Sequence, residues 1–355
     1  MTDAAHLYPY VLAPKLTQQI WGGDALVKVY DQAGDPGVKL GESWQCWDAN
    51  PVTNGPLAGT TVADLRGRLG ADLLGDIDAD RIFPILTKII DARDSLSVQV
   101  HPDDAYAQRV EGEPFGKTEC WYVLHADEGA ELVLGWTRDT SREEYLERVA
   151  DGSLGDILRR VPVGAGEVYY LPSGTLHAIG KGIVVFETQQ ASDLTYRIFD
   201  WNRTGADGKP RELHVDKAAD VLNYRRGERA AIAPVDYTFE NLRRTLLIAD
   251  PRFTVEHIVA SADPASIATQ NRPLIAMALD RRLAISCDGG SATLEPYHTA
   301  LIPAAAGWAT FASADDAAAP FMFVTPPATP ETVPVRLLAA GVDQTRVDAF
   351  TDQFR

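Results

Sequence analysis

Four residues with metal-binding side chains stand at the edges of three short apolar stretches. His177 ends Gly166-Glu-Val-Tyr-Tyr-Leu-Pro-Ser-Gly-Thr-Leu-His177, in which Val168 and Tyr170 read as strand and Pro172 and Gly174 as a turn. Gln99-Val-His101 places two donors at strand spacing, so both point to one face. Lys117-Thr-Glu119 opens the apolar run Cys120-Trp121-Tyr122-Val123-Leu124. A lone histidine is more often a satisfied core or surface residue. Two imidazoles, a carboxylate and an amide oxygen together make an N₂O₂ donor set, which suits a divalent transition metal.

These segments need a scaffold of short strands and many turns, and the composition provides one. The chain has 355 residues, 45% hydrophobic and 23% charged, with 28 glycines and 22 prolines. That describes a soluble, turn-rich protein, and its length predicts two domains. A formal net charge of −17 argues against nucleic acid or an anionic membrane as partner. It also means that an anionic substrate needs a local basic pocket. Cys46, Cys120 and Cys287 are too widely spaced for a disulfide framework or a CxxC site. The first residues lack the basic and apolar regions of a signal peptide, and no apolar run nears ~18 residues, so a cytoplasmic location is expected.

The order of elements follows from pattern. Thr61 with Asp64 three residues later predicts a capped helix over 61–75. Ile82–Ile90 and Leu96–His101 read as strands, and Pro102-Asp103-Asp104 as a helix start. Ser141-Arg-Glu-Glu144 begins a helical interruption over 137–161. Strands resume from Glu167. Ala300-Leu301-Ile302-Pro303 echoes Tyr170-Leu171-Pro172, with Trp308 five residues after Pro303 as His177 is five after Pro172. The echo predicts a repeat whose ligand is lost and whose Trp308 is core. The expected division is therefore 1–235 with the metal and the helical insertion, 236–327 as a smaller, degenerate β unit, and a C-terminal tail at 328–355 whose role the sequence does not show.

Gly166 to His177 fits the second metal motif of the cupins, G-x5-P-x-G-x2-H, although Lys181 replaces its later asparagine. The first motif departs further: Gln99-Val-His101 stands for His-x-His, and the glutamate comes 18 residues after the histidine. With Ile20-Trp-Gly-Gly23, Gly41-Glu-Ser-Trp44, Leu96-Ser-Val-Gln-Val-His-Pro-Asp-Asp104, Gly116-Lys-Thr-Glu119, Gly174-Thr-Leu-His-Ala178 and Ser192-Asp-Leu-Thr-Tyr-Arg-Ile-Phe-Asp200, the chain resembles the type I mannose-6-phosphate isomerases, in their short bacterial form. The resemblance covers roughly residues 15–205. It implies a mainly β fold of two cupin-type jelly-roll barrels, the second degenerate.

The resemblance further implies one zinc per chain, held by Gln99, His101, Glu119 and His177. Lys88, Ser97, Lys117, Glu187 and Arg197 would then meet a sugar phosphate. Lys88 and Lys117 on strands near the ligands, and Arg197 in an apolar strand, are singly ordinary surface cations. Near one metal in an acidic protein they are better read as an anion cradle.

Interconverting an aldose and a ketose requires a base for the carbon-bound proton and a stabiliser for the enediolate. Arg197 suits the second task, or a grip on the phosphate. Lys117 suits the first if burial lowers its pKa, and Glu187 is the other candidate. Three readings compete: this isomerase or one for a related sugar, an iron-dependent oxygenase on His101, Glu119 and His177, and a non-catalytic sugar-binding cupin.

Overall fold

Among the described residues, apolar stretches form 22 strands arranged in four antiparallel sheets. The computed structural model describes residues 7–31, 37–77, 82–201, 203–204, 208–227, 231–326 and 332–354. Contacts gather the chain into two compact units. One comprises Leu16–Ser43 and Lys88–Ala231, the other Met1–Lys15, Trp44–Thr87 and Ile232–Arg355.

A six-stranded sheet, most of its residues in the first unit, runs in the order Lys15–Gly23, Leu40–Cys46, Ile85–Ala92, Ile183–Gln190, Glu119–Ala126, Val168–Leu171. A five-stranded sheet runs Tyr196–Phe199, Val98–Val100, His177–Ile179, Glu131–Trp136, Leu158–Pro162. Trp121, Val123 and Leu171 from one sheet and Leu132, Leu134 and Ile179 from the other form a shared core. The opposite face of the five-stranded sheet is covered as well: Val98, Val100 and Val133 pack with Tyr145 and Ala218 of two helices. Those helices are Arg142–Asp151 and Val215–Val221. Ser141 caps the first by accepting the Glu144 N–H, and Gly152 ends it in the left-handed region. The interruption expected over 137–161 is shorter than its pattern, because Leu158–Pro162 pairs with Glu131–Trp136 as a strand.

The other unit repeats the arrangement. Its sheets run Tyr10–Leu12, Thr299–Ile302, Leu274–Ala278, Ala319–Thr325, Phe253–Ala260, Leu242–Asp250, Val235–Phe239, and Ala265–Ala268, Trp308–Ser313, Leu283–Cys287, Gly290–Leu294. Seven and four strands match the count of six and five, so the second unit is not smaller. It extends beyond the expected 236–327. Residues 10–12 pair with Thr299–Leu301, and Asn271 is tied to Asp76 by a 2.7 Å side-chain bond. Such long-range pairing leaves no local pattern, so the boundaries differ from a simple 1–235 block. The helix Val62–Leu69 in this unit carries the capping box expected of Thr61 and Asp64. The tail forms the helices Thr332–Ala339 and Gln344–Thr351, whose Val333, Leu337, Val347 and Phe350 pack on Val235, Tyr237 and Leu246.

The repeat is offset by one residue. Leu171 pairs with Glu119 as Ile302 pairs with Leu274, all four facing inward. After the proline, however, the second barrel has one residue more. Ala309, paired with Ile267, takes the inward place that His177, paired with Gln99, holds in the first. Trp308 is consequently turned outward and 57% exposed, contrary to the core position expected of it.

Candidate metal centre

Each candidate ligand of the first barrel lies in or beside a strand that fixes its orientation. Gln99 and His177 are directly opposed on neighbouring antiparallel strands, and Arg197 pairs with Gln99 from the other side. Cross-strand partners share a face, so His177, Gln99 and Arg197 form one row. From the facing sheet, Glu119 pairs with Gln189, and Trp121 with Glu187. His101 follows its strand, and its carbonyl accepts the Gly174 N–H at 2.9 Å, joining the two ligand loops. Gly174 has φ 82°, and a Cβ there would lie 2.9 Å from Val221 O, so the turn before His177 requires glycine.

His101, Glu119 and His177 are buried, with their ligand atoms within 4.8 Å of one another. His101 Nδ1 lies 2.8 Å from Leu194 O, and His177 Nδ1 lies 2.8 Å from Thr175 O. Both carbonyls must accept, so each imidazole carries its proton on Nδ1 and turns the Nε2 lone pair inward. His177 Nε2 is 3.2 Å from Glu119 Oε1, and His101 Nε2 is 3.6 Å from Glu119 Oε2. Gln99 Nε2 reaches His177 Nε2 at 3.3 Å, and rotation of the amide would present Oε1 instead. Burial, then the Lys117 charge, holds the His101 pKa well below its usual value. Burial brings His177 down to about 4. Neutral imidazoles are what a metal requires. His101 Nε2 and Glu119 Oε1 have no hydrogen-bond partner among the described residues. Buried, convergent lone pairs without donors repel one another, and a cation at their centre removes the repulsion. The donor set therefore fits a divalent metal.

Three of the predicted substrate residues, Lys88, Lys117 and Glu187, lie around the same centre. Lys117 Nζ is 2.8 Å from Glu119 Oε2 and 3.8 Å from Glu187 Oε1, and Lys88 Nζ is 3.9 Å from Glu187 Oε2. Trp121 Nε1 donates to Glu187 Oε1 at 3.3 Å. Burial alone would lower the Lys117 pKa, but the charges of Glu119 and Glu187 outweigh it and the net direction is upward. The downward shift that would make Lys117 a proton carrier is not found. Burial pushes Glu187 up to about 7. Ser97 is buried two residues before Gln99, just outside its strand.

Arg197 is half-buried; its Nη1 donates to Glu212 O at 3.0 Å, and its Nε has no partner among the described residues. Sequence reasoning missed its neighbours. Arg203 bonds Asp200 at 2.6 Å, and Arg211 bonds both oxygens of that carboxylate. Arg211 and Arg203, after burial, are among the causes that lower the Arg197 pKa. The only sequence cue was Asp200 at the end of the Arg197 strand.

The chain is similar to several known proteins. A family model described as phosphomannose isomerase type I, catalytic domain, matches residues 10–137. Mannose-6-phosphate isomerase of Streptococcus mutans is 43% identical over 252 residues, 70% of this chain and 77% of that protein. Mannose-6-phosphate isomerase ManA of Bacillus subtilis is 43% identical over 218 residues, 60% of this chain and 68% of that protein. The crystal structure of the mannose 6-phosphate isomerase from Bacillus subtilis superposes with a TM-score of 0.79 at 30% identity, covering 89% of this chain and 99% of that one. A zinc-bound mannose 6-phosphate isomerase superposes at 0.71 with 16% identity, over 90% of this chain and 99% of that one, which shows a common fold.

Proposed function

The chain belongs to the type I mannose-6-phosphate isomerases, and from that premise we propose that it interconverts mannose 6-phosphate and fructose 6-phosphate with one zinc ion held by Gln99, His101, Glu119 and His177. The observation that carries this reading is the buried convergence of His101 Nε2, His177 Nε2 and the Glu119 carboxylate, with both Nδ1 protons taken by backbone carbonyls. When bound, the zinc supplies Lewis acidity toward the carbonyl oxygen of the open-chain sugar.

The remaining chemistry belongs to side chains. Glu187 is the proton carrier between C1 and C2 in this reading. It is buried, its Oε1 is held by Trp121, and its Oε2 has no hydrogen-bond partner among the described residues. Lys88 and Lys117 flank it and orient the carboxylate. Lys117, kept charged by Glu119 and Glu187, donates to a substrate oxygen. Arg203 and Arg211 are engaged by Asp200, which leaves Arg197 as the guanidinium available to the substrate. On the same row as His177, it stabilises negative charge as the enediolate forms. Ser97, on the face of Gln99, joins Lys88 in substrate binding.

An isomerase of sugar phosphates should turn over mannose 6-phosphate and barely touch free mannose, with ketose formation as the readout. Equal kcat/KM for the two sugars would assign the site to an unphosphorylated substrate. Turnover of neither would remove the proposal.

A further inference from the structure

The mouth of the second barrel holds a buried cluster of charge that the isomerase site does not use. Glu256, 1% exposed, accepts from the Tyr237 hydroxyl at 2.7 Å, from Arg244 Nε at 2.8 Å and from Arg336 Nη2 at 2.6 Å. Arg244 Nη1 lies 3.7 Å from Glu240. Beside them opens a cleft with ≈ 580 Å³ of unfilled space, part of it continuous with solvent. Arg244, Arg272, Arg336 and Glu240 line it, with Thr254 and Thr325.

Its place in the fold is informative. Ile267 and Leu274, which also line the cleft, occupy the inward positions that Gln99 and Glu119 hold in the first barrel. The second barrel has lost its metal donors at this mouth and carries arginines there instead.

We propose that this cleft binds a small oxyanion of the phosphate or carboxylate class. Among the described residues at the cleft, three arginines stand against Glu240 and Glu256, a local positive balance in a protein of net −17 that favours an anion over a cation. Nη2 of Arg244 and Nε of Arg336 have no hydrogen-bond partner among the described residues, and an unpaired buried guanidinium donor is costly. Both guanidiniums are already oriented. Glu256 holds each of them, and the Phe323 and Tyr237 rings lie 5.8 Å from Arg244 and 5.7 Å from Arg336. A planar donor set fixed before binding is what phosphate and carboxylate groups recognise. The proposal stands independently of the isomerase reading.

The test uses the zinc-loaded full chain and inorganic phosphate, with acetate as a second probe at equal ionic strength. Crystals soaked in phosphate should show the anion within hydrogen-bond distance of the Arg244 or Arg336 guanidinium. In solution, Arg272→Glu should weaken one phosphate-binding component at least tenfold and leave kcat and KM of isomerisation unchanged. Acetate displacing phosphate from that component, or failing to, distinguishes a general oxyanion site from a phosphate site, and either result supports the proposal. A vacant cleft at phosphate concentrations that saturate the protein, or an Arg272→Glu titration identical to the parent, overturns it.

Discussion

Gln99 and His177 face each other directly across two antiparallel strands, their side-chain nitrogens 3.3 Å apart. In the proposed site that pairing would give the metal a neutral amide donor without adding charge. It sets the site apart from one with only two histidines and a carboxylate. Gln99→Leu should keep the fold and weaken zinc by at least the roughly 10–100-fold typical of losing an outer partner. Competition with a chromophoric chelator measures this; an unchanged zinc affinity would remove Gln99 from the ligand set.

Arg197 should matter more in the transition state than in the ground state. Arg197→Ala is expected to lower kcat by about 10²–10³-fold, the usual effect of deleting one oxyanion donor, with zinc content intact and KM changed less. Arg197→Lys should rescue in part, because lysine lacks the planar fork. A rise in KM alone would make Arg197 a phosphate grip, and near-normal kinetics would leave it a surface residue.

Glu187→Gln keeps the shape and the Trp121 contact but cannot carry a proton. The expected loss is roughly 10²–10⁴-fold in kcat with zinc still bound. Isotope exchange at C2 of the sugar should fall in parallel. Exchange at the parental rate would move the proton-carrier role elsewhere.

Much of the site could be read before the fold was known, because it depends on local spacing. Gln99 and His101 share a face by strand period, and Pro172 and Gly174 set up the turn into His177. Thr61 with Asp64 and Ser141 likewise announced their helix caps. Features made by distant pairing were hidden. Residues 44–87 join the second unit through contacts such as Asn271 with Asp76. The Trp308 echo failed because one added residue before a strand reverses every side chain in it. Lys117 is kept protonated by carboxylates from two strands, and only the assembled site brings Glu187 beside it.

The Glu256 cluster makes a prediction about pH. Burial alone would raise the Glu256 pKa, but Arg244 and Arg336 outweigh it and hold the carboxyl below its ordinary value of 4.5. A depressed folded-state pKa contributes stability that is fully present above the unfolded pKa and is lost as pH falls through the folded one. Tyr237 donates to the same carboxylate, and nearby Glu240, raised first by burial, titrates in the opposite sense. Glu256→Gln should therefore destabilise by roughly 3–5 kcal/mol at pH 7, since it strands two guanidiniums. The gap in Tm between variant and parent should narrow below about pH 4. A gap independent of pH would show that the cluster's charge does not contribute.

In the proposed site one metal would be held jointly by His101, Glu119, His177 and Gln99. The most direct test of that metal's role is isomerase activity measured against bound zinc in chelator-stripped protein. Mannose 6-phosphate turnover should be absent in the stripped chain, rise in proportion to added zinc and level off at one equivalent. Full activity in a sample verified to be metal-free would contradict it.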